Sequence, residues 1–150
     1  MIWQKTIARS LNITGVGLHS GRPVSMSIHP ASANQGLKFI RTDLPDRPQV
    51  RAHFTRVVDT TRATTLAEGE ATLATVEHLL SAFYGLGIDN AIVEVDGPEI
   101  PIMDGSAKPF VDLLMQADSS SLPWPRTYLV VHKTIEVSNG DGWMRVVPGQ

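Results

Sequence analysis

The sequence predicts an α+β fold, a small β-sheet with two helices packed on one face, and three observations carry that reading. In PVSMSIHP, Val24, Met26 and Ile28 alternate with other residues, the period-two pattern of a half-buried strand. From Thr75 the period changes. Val76, Leu79, Leu80 and Phe83 fall at i, i+3, i+4 and i+7, one stripe of a helix. Phe110, Leu113, Leu114 and Ala117 draw a second such stripe. Helices gathered on one side of a sheet define the α+β class.

Taken in order, TIAR opens the sheet, and GVGLHSG, with its glycines, is a turn. PVSMSIHP and GLKFIRT are the next strands, and DLPDRPQ is a loop by its proline and aspartate content. FTRVVDTTRATTLAEGEATLA is rich in Thr and Val and carries an EGE turn, so it reads as a β-hairpin. Thr75 is the expected N-cap of the first helix, and Gly85 or Gly87 supplies a left-handed C-cap. AIVEV is a buried-type strand, GPEIPIMDG a proline-bounded loop, and Ser106 the cap of the second helix. DSSSLPWP, residues 118–125, is polar and then proline-bounded, the composition of a linker. Beyond it, TYLVVHKTIEV and WMRVV are strand-like runs around SNGDG, a strong hairpin turn. The main unit is therefore 1–123 and the hairpin occupies 124–150. Two strands alone are barely stable in water, so the hairpin should belong to something larger.

Composition removes several function classes. The 150 residues suffice for one domain. A domain of this size buries roughly two-thirds of its unfolded surface. A net charge of −2 gives no general attraction to nucleic acid or anionic membrane. With no cysteine, disulfides and thiolate metal sites are excluded, and any metal must use His, Asp or Glu. The opening MIWQKTIARS lacks the apolar run of a secretory signal, and no segment reaches membrane-spanning length. A cytoplasmic location is the default expectation.

The chemistry-bearing pair is Glu77–His78 in ATVEHLLSAF. Both fall in the first helical turn, where the helix end favours negative charge and disfavours positive charge. Such a site suits an ionised glutamate acting as a base and a neutral imidazole acting as a metal ligand. A capping glutamate beside an ordinary polar histidine is the other reading. The pair is not the H-E-x-x-H pattern, because Ala82 stands four residues after His78. Opposite the apolar stripe lie His78, Ser81, Ala82 and Gly85, where a water-facing helix usually carries Lys and Glu. Small residues there let another element approach closely, so that face is expected to be covered by a second domain or a partner.

Longer segments add a resemblance. TGVGLHSG at 14–21 and TVEHLLSAFYGLGIDNAIVEVDGPEIPIMDGSAKPFV at 75–111, with FIRTDLP and VVDTTRATTL, resemble the UDP-3-O-acyl-N-acetylglucosamine deacetylases, bacterial zinc amidases of lipid A synthesis. The resemblance runs over essentially the whole chain. It implies two similar domains, each a small sheet with two helices (ribosomal protein S5 domain 2-like), packed helices against helices around Zn²⁺. The hairpin at 124–150 then opens the second domain. The resemblance also implies that Glu77 is the general base and His78 a zinc ligand. The other two ligands, in H-x-x-x-D, and an acid histidine come from the second domain. The substrate it implies is UDP-3-O-acyl-N-acetylglucosamine. Members of the family are about twice as long as this chain, so the missing C-terminal domain, in cis or in trans, is an expected partner.

The remaining candidates are read beside their plainer alternatives. His19 tips the glycine turn, either lining the active-site cleft, as the resemblance suggests, or simply solvated. Thr61 and Arg62 lie where the resemblance brings a hairpin loop toward zinc and substrate. Asp104 either caps the helix that follows or supports the site architecture. In HKTIE, Glu136 stands four after His132, yet LVVHKTIEV is β-branched and reads as strand. His29 and His53 have no motif around them. Two rival functions stand beside the deacetylase: a non-catalytic binding or regulatory domain reusing the fold, and a separate nucleotide-sugar module.

Overall fold

The computed structural model describes residues 1–149. Its centre is a five-stranded sheet ordered β2–β3–β9–β4–β5. The strands are β2 (Leu11–Val16), β3 (Pro23–Pro30), β4 (Leu37–Arg41), β5 (Gln49–Arg51) and β9 (Ala91–Val95). All neighbours are antiparallel except β4 and β9. Register explains why one face is the core. Leu11, Ile28, Val93, Phe39 and Val50 form one cross-strand row, and Ile13, Met26 and Val95 another. The pleat sends the intervening row, Asn12, Ser27, Glu94, Ile40 and Gln49, to the other face.

Two helices close the apolar face, α1 (Glu77–Leu86) and α2 (Lys108–Gln116), and they pack against each other. Leu79, Ala82 and Phe83 of α1 join Phe110 and Leu114 of α2 in the same buried cluster as the sheet residues. Burying each large side chain contributes about 1.5–3 kcal/mol. A smaller sheet, β6 (Val57–Asp59), β7 (Thr65–Glu68) and β8 (Ala71–Leu73), precedes α1 and buries Leu66, Ala71 and Leu73. No helix among the described residues is long and apolar enough to cross a membrane.

The α+β class with paired helices agrees with the sequence reading, and so do β3, β4, β9 and both helices. Several local expectations need correction. Gly15 and Val16 belong to β2, and only residues 17–21 form the turn, closed by the Gly21 amide donating to the Gly17 carbonyl at 3.0 Å. Gly15 pairs with Val24, and the position takes glycine because a Cβ there would lie 2.8 Å from the Pro101 Cβ. The end of DLPDRPQ contributes Gln49 to β5, which pairs with β4.

Thr75 does not cap α1; the N-cap is Val76, without a side-chain bond, and Thr75 has a left-handed backbone with φ 60°. Gly87 is the C-cap, at φ 67°. The N-cap of α2 is Ala107, although the Ser106 hydroxyl does accept from the Lys108 amide at 3.1 Å. On α1, Ala82 is buried rather than outward-facing, and Leu80 is half-buried.

The expected linker is a strand. β10 (Ser119–Pro125) pairs antiparallel with β1 (Trp3–Ile7), so the position chosen for the unit boundary, 123, falls inside it. Its backbone partners lie more than a hundred residues away, beyond what local composition signals. The tail hairpin is present as β11 (Ile135–Asn139) and β12 (Gly142–Val146), paired with each other. The run before Ile135 is not strand, so His132 lies outside it, while Glu136 lies in β11 and pairs with Arg145 across the hairpin at 2.6 Å.

Candidate active site

Three segments meet at the entry to α1: the turn after β2, the loop after β9, and the stretch joining β8 to the helix. The loop crosses between the other two. The Ala74 amide donates to the Pro98 carbonyl at 2.9 Å, and the Ile100 amide donates to the Ala74 carbonyl at 3.0 Å. On the other side the Ile102 amide donates to the Val16 carbonyl at 3.0 Å. Proline on both sides of the loop limits its backbone, and these bonds fix the rest of its path.

Glu99 sits at this crossing, 2 % exposed. Its carboxylate accepts the His19 amide at 3.0 Å, the Ser20 amide at 2.9 Å and the Thr75 hydroxyl at 3.0 Å. Burial, the largest influence, pushes the carboxyl up. The amides of His19 and Ser20 and the hydroxyls of Ser20 and Thr75 together outweigh it, and the group ionises below the usual carboxylate range. Gly17 is required by the same contact, since a Cβ there would overlap the Ser20 hydroxyl and the Glu99 carboxylate.

Glu77 opens α1, and its Oε2 accepts the Thr64 amide at 3.0 Å. The Val76 amide returns a contact to the Thr64 carbonyl at 3.4 Å. The helix entry and the segment before β7 are thus joined through both backbone and side chain. The carboxylate serves a neighbouring segment rather than an amide of its own helix. His78, next along the helix, is half-buried, and its ring makes no hydrogen bond among the described residues.

A cleft of about 330 Å³ lies beside these segments, lined by His19, Asp59, Thr61, Arg62, Ala63, Thr65 and Ala74. It brings together three candidates separated by some forty residues in sequence, His19 with Thr61 and Arg62. Asp59 orders this wall, because its Oδ1 accepts both the Thr61 amide at 3.0 Å and the Thr61 hydroxyl at 2.7 Å. The hydroxyl bond, then the amide bond, lowers the Asp59 carboxyl below its ordinary range. Glu77 reaches the cleft wall through Thr64, which stands between the lining residues Ala63 and Thr65.

Asp104 is exposed and is not among the residues lining this cleft. Its Oδ1 accepts the Ser106 hydroxyl and amide, both at 2.8 Å, ordering the turn into α2. Those bonds lower its carboxyl as well. It does not itself bond the first amides of the helix.

The donor set bears on metal binding. His78 offers a nitrogen donor of the kind zinc takes, free of competing hydrogen bonds among the described residues. No group of three His, Cys, Asp or Glu side chains among the described residues is arranged to hold a metal.

Two residues of the site escaped sequence reasoning. Glu99 had a faint signal: a charge flanked by Pro98 and Ile100 in a proline-bounded loop. Asp59 had another, since Asp followed by two threonines favours a side-chain-capped turn.

Known proteins match essentially the whole chain. The family model described as UDP-3-O-acyl N-acetylglycosamine deacetylase matches residues 4–150. A UDP-3-O-acyl-N-acetylglucosamine deacetylase of Methylococcus capsulatus is 47% identical over 148 residues, covering 99% of this chain and 49% of the relative. Its counterpart in Syntrophus aciditrophicus is 47% identical, with 99% and 47% covered. That of a Geobacter species is 43% identical, with 100% and 49% covered. The chain spans about half the length of the curated relatives it matches.

Proposed function

The chain belongs to the UDP-3-O-acyl N-acetylglycosamine deacetylase family, and from that premise we propose that it is the N-terminal half of a zinc-dependent deacetylase. Its substrate is UDP-3-O-acyl-N-acetylglucosamine, and the products are acetate and the free amine. We place the other metal donors, and the acid that protonates the leaving amine, in the half of the relatives that this chain does not span. On this reading residues after β10 begin that second domain, and the cleft is one wall of the complete site. A cytoplasmic location fits a nucleotide-linked substrate.

One observation supports this reading most directly: the Thr64 amide ties Glu77, the neighbour of His78 on α1, to the segment whose residues Ala63 and Thr65 line the cleft with His19, Thr61 and Arg62. His78 would hold the zinc, which when bound supplies Lewis acidity toward an amide carbonyl and a water molecule. The remaining work falls to side chains of this chain. Glu77 takes a proton from the attacking water. The Thr64 amide limits the orientations its carboxylate samples, so the base is held in place before substrate arrives. His19, Thr61 and Arg62 contact the substrate, with Asp59 holding Thr61 in its rotamer. Asp104 supports the site only at a distance, by ordering the start of α2.

The test is acetate release by this chain joined to the remaining half of the Methylococcus capsulatus relative. Glu77→Gln should lower kcat by about 10²–10⁴-fold, the usual contribution of a positioned base. His78→Ala should reduce bound zinc measured on the purified protein. Unchanged turnover in the Glu77→Gln enzyme would remove Glu77 from the mechanism. A joined protein that binds the substrate yet never releases acetate favours the non-catalytic binding or regulatory domain.

A further inference from the structure

We propose that Glu99 is a positioning residue for substrate binding, its buried carboxylate fixing the His19 turn against the entry of α1. This inference rests on the deacetylase reading for its kinetic consequence and on the structure alone for the clamp itself.

Position and burial separate Glu99 from an ordinary loop carboxylate. It is 2 % exposed, and an ionised group so placed is costly to keep unless several donors satisfy it. Donors come from two segments far apart in sequence. The His19 and Ser20 amides belong to the turn, and the Thr75 hydroxyl to the residue two before α1. Thr75 holds φ at 60°, a conformation a β-branched residue rarely takes. Such a backbone persists only where its surroundings over-determine it. Its hydroxyl bond to Glu99 and the pairing of Ala74 with the loop at Glu99 supply that determination. Gly17 leaves the space the carboxylate occupies. His19 itself is exposed on the cleft wall, and its ring forms no hydrogen bond among the described residues. The placement of that ring therefore depends on its backbone, and Glu99 holds the backbone. Glu77 is held separately, through Thr64. Losing the Glu99 clamp should thus disturb binding at His19 and leave the base in place.

Two measurements test this. In the 150-residue chain, amide hydrogen exchange at His19 and Ser20 should be at least tenfold faster in Glu99→Gln, while amides of β3 and β9 keep their wild-type rates. An amide side chain in place of the carboxylate turns at least one of the facing N–H pairs into a donor–donor contact. Gly17→Ala keeps every donor and acceptor but crowds the carboxylate, and should accelerate the same two amides. That second variant decides the matter if Glu99→Gln does not fold. In the enzyme completed with the second half of the Methylococcus capsulatus relative, Glu99→Gln should raise KM at least tenfold with kcat within threefold of wild type. A purely structural loss would instead lower apparent kcat through fewer folded molecules and leave KM alone. Unchanged exchange at His19 and Ser20, or a fall in kcat at constant KM, overturns the proposal. If the wild-type completed protein releases no acetate, the deacetylase reading fails, and the exchange rates still decide the clamp.

Discussion

Glu99 illustrates how a single residue can matter more than its sequence surroundings suggest. GPEIPIMDG reads as a loop, and nothing local says that its glutamate accepts donors from residues eighty and twenty-four positions earlier. The place of Glu77 and His78 at the start of α1 was legible because helix period is a local property. The Thr64 bond that holds Glu77 was not, because it needs the chain to fold back. The pH dependence of stability belongs to this scale. The Glu99 carboxyl ionises below its ordinary value of about 4.5 once folded. A depressed folded value means the ionised group stabilises the fold above the unfolded value. That stabilisation disappears as pH falls through the folded value. Urea midpoints taken from pH 6 down to pH 3 should therefore fall on the acid side of about 4.5, and Glu99→Gln should flatten that part of the curve. An equally steep curve in the variant would assign the acid loss to other carboxylates, such as Asp43 beside Arg41.

At the level of elements, strands and helices with strong periodicity could be read directly, whereas those stabilised by distant pairing could not. Val24, Met26 and Ile28 announce β3 because every second side chain enters the core. β10 has no such alternation; its residues are exposed or half-buried, and it is a strand because β1 presents a free edge to it. The same contrast explains the ends of α1. A glycine C-cap at Gly85 or Gly87 was identifiable because glycine tolerates the left-handed backbone, and the structure selects Gly87. Thr75 was mistaken for an N-cap because its hydroxyl, suited to capping, is committed to Glu99 instead. Gly87→Ala should destabilise the fold by about 1–2 kcal/mol, the cost of a left-handed backbone for a residue with a Cβ. The new methyl would also stand 3.1 Å from Arg126 Nη2, disturbing the guanidinium that donates to the Gly87 carbonyl and Asp89. Gly85→Ala, inside α1 at a position with open space and no positive φ, is the control and should hold or raise the urea midpoint. Equal losses in the two variants would show that the cap geometry is not responsible.

For the whole molecule, the question is which residues the fold needs. The core draws on β1–β5, β7–β9 and both helices, and the Arg126 backbone still donates to the Ile2 carbonyl at 2.8 Å. Arg126 also pairs with Asp89 at 2.8 Å. Beyond that point the protein changes character. Every residue of β11 and β12 is exposed, including Ile135, Val137, Trp143, Met144 and Val146. The hairpin turn could be read from SNGDG, but its lack of a packing partner could only be inferred from its being two strands alone. If the hairpin contributes no buried area to this core, removing it should leave stability nearly untouched. A chain ending at Leu129 should unfold within about 0.5 kcal/mol of the full chain, the range of changes made away from packed features. A chain ending at Ala117 loses β10, leaves β1 with an unpaired edge, and removes the Arg126–Asp89 pair. That chain should lose its cooperative transition in circular dichroism. A loss of more than about 1 kcal/mol on ending at Leu129 would mean that the hairpin packs on this core in solution, because surface changes rarely cost so much. It would then no longer be available, as the proposed function requires, to open the second domain.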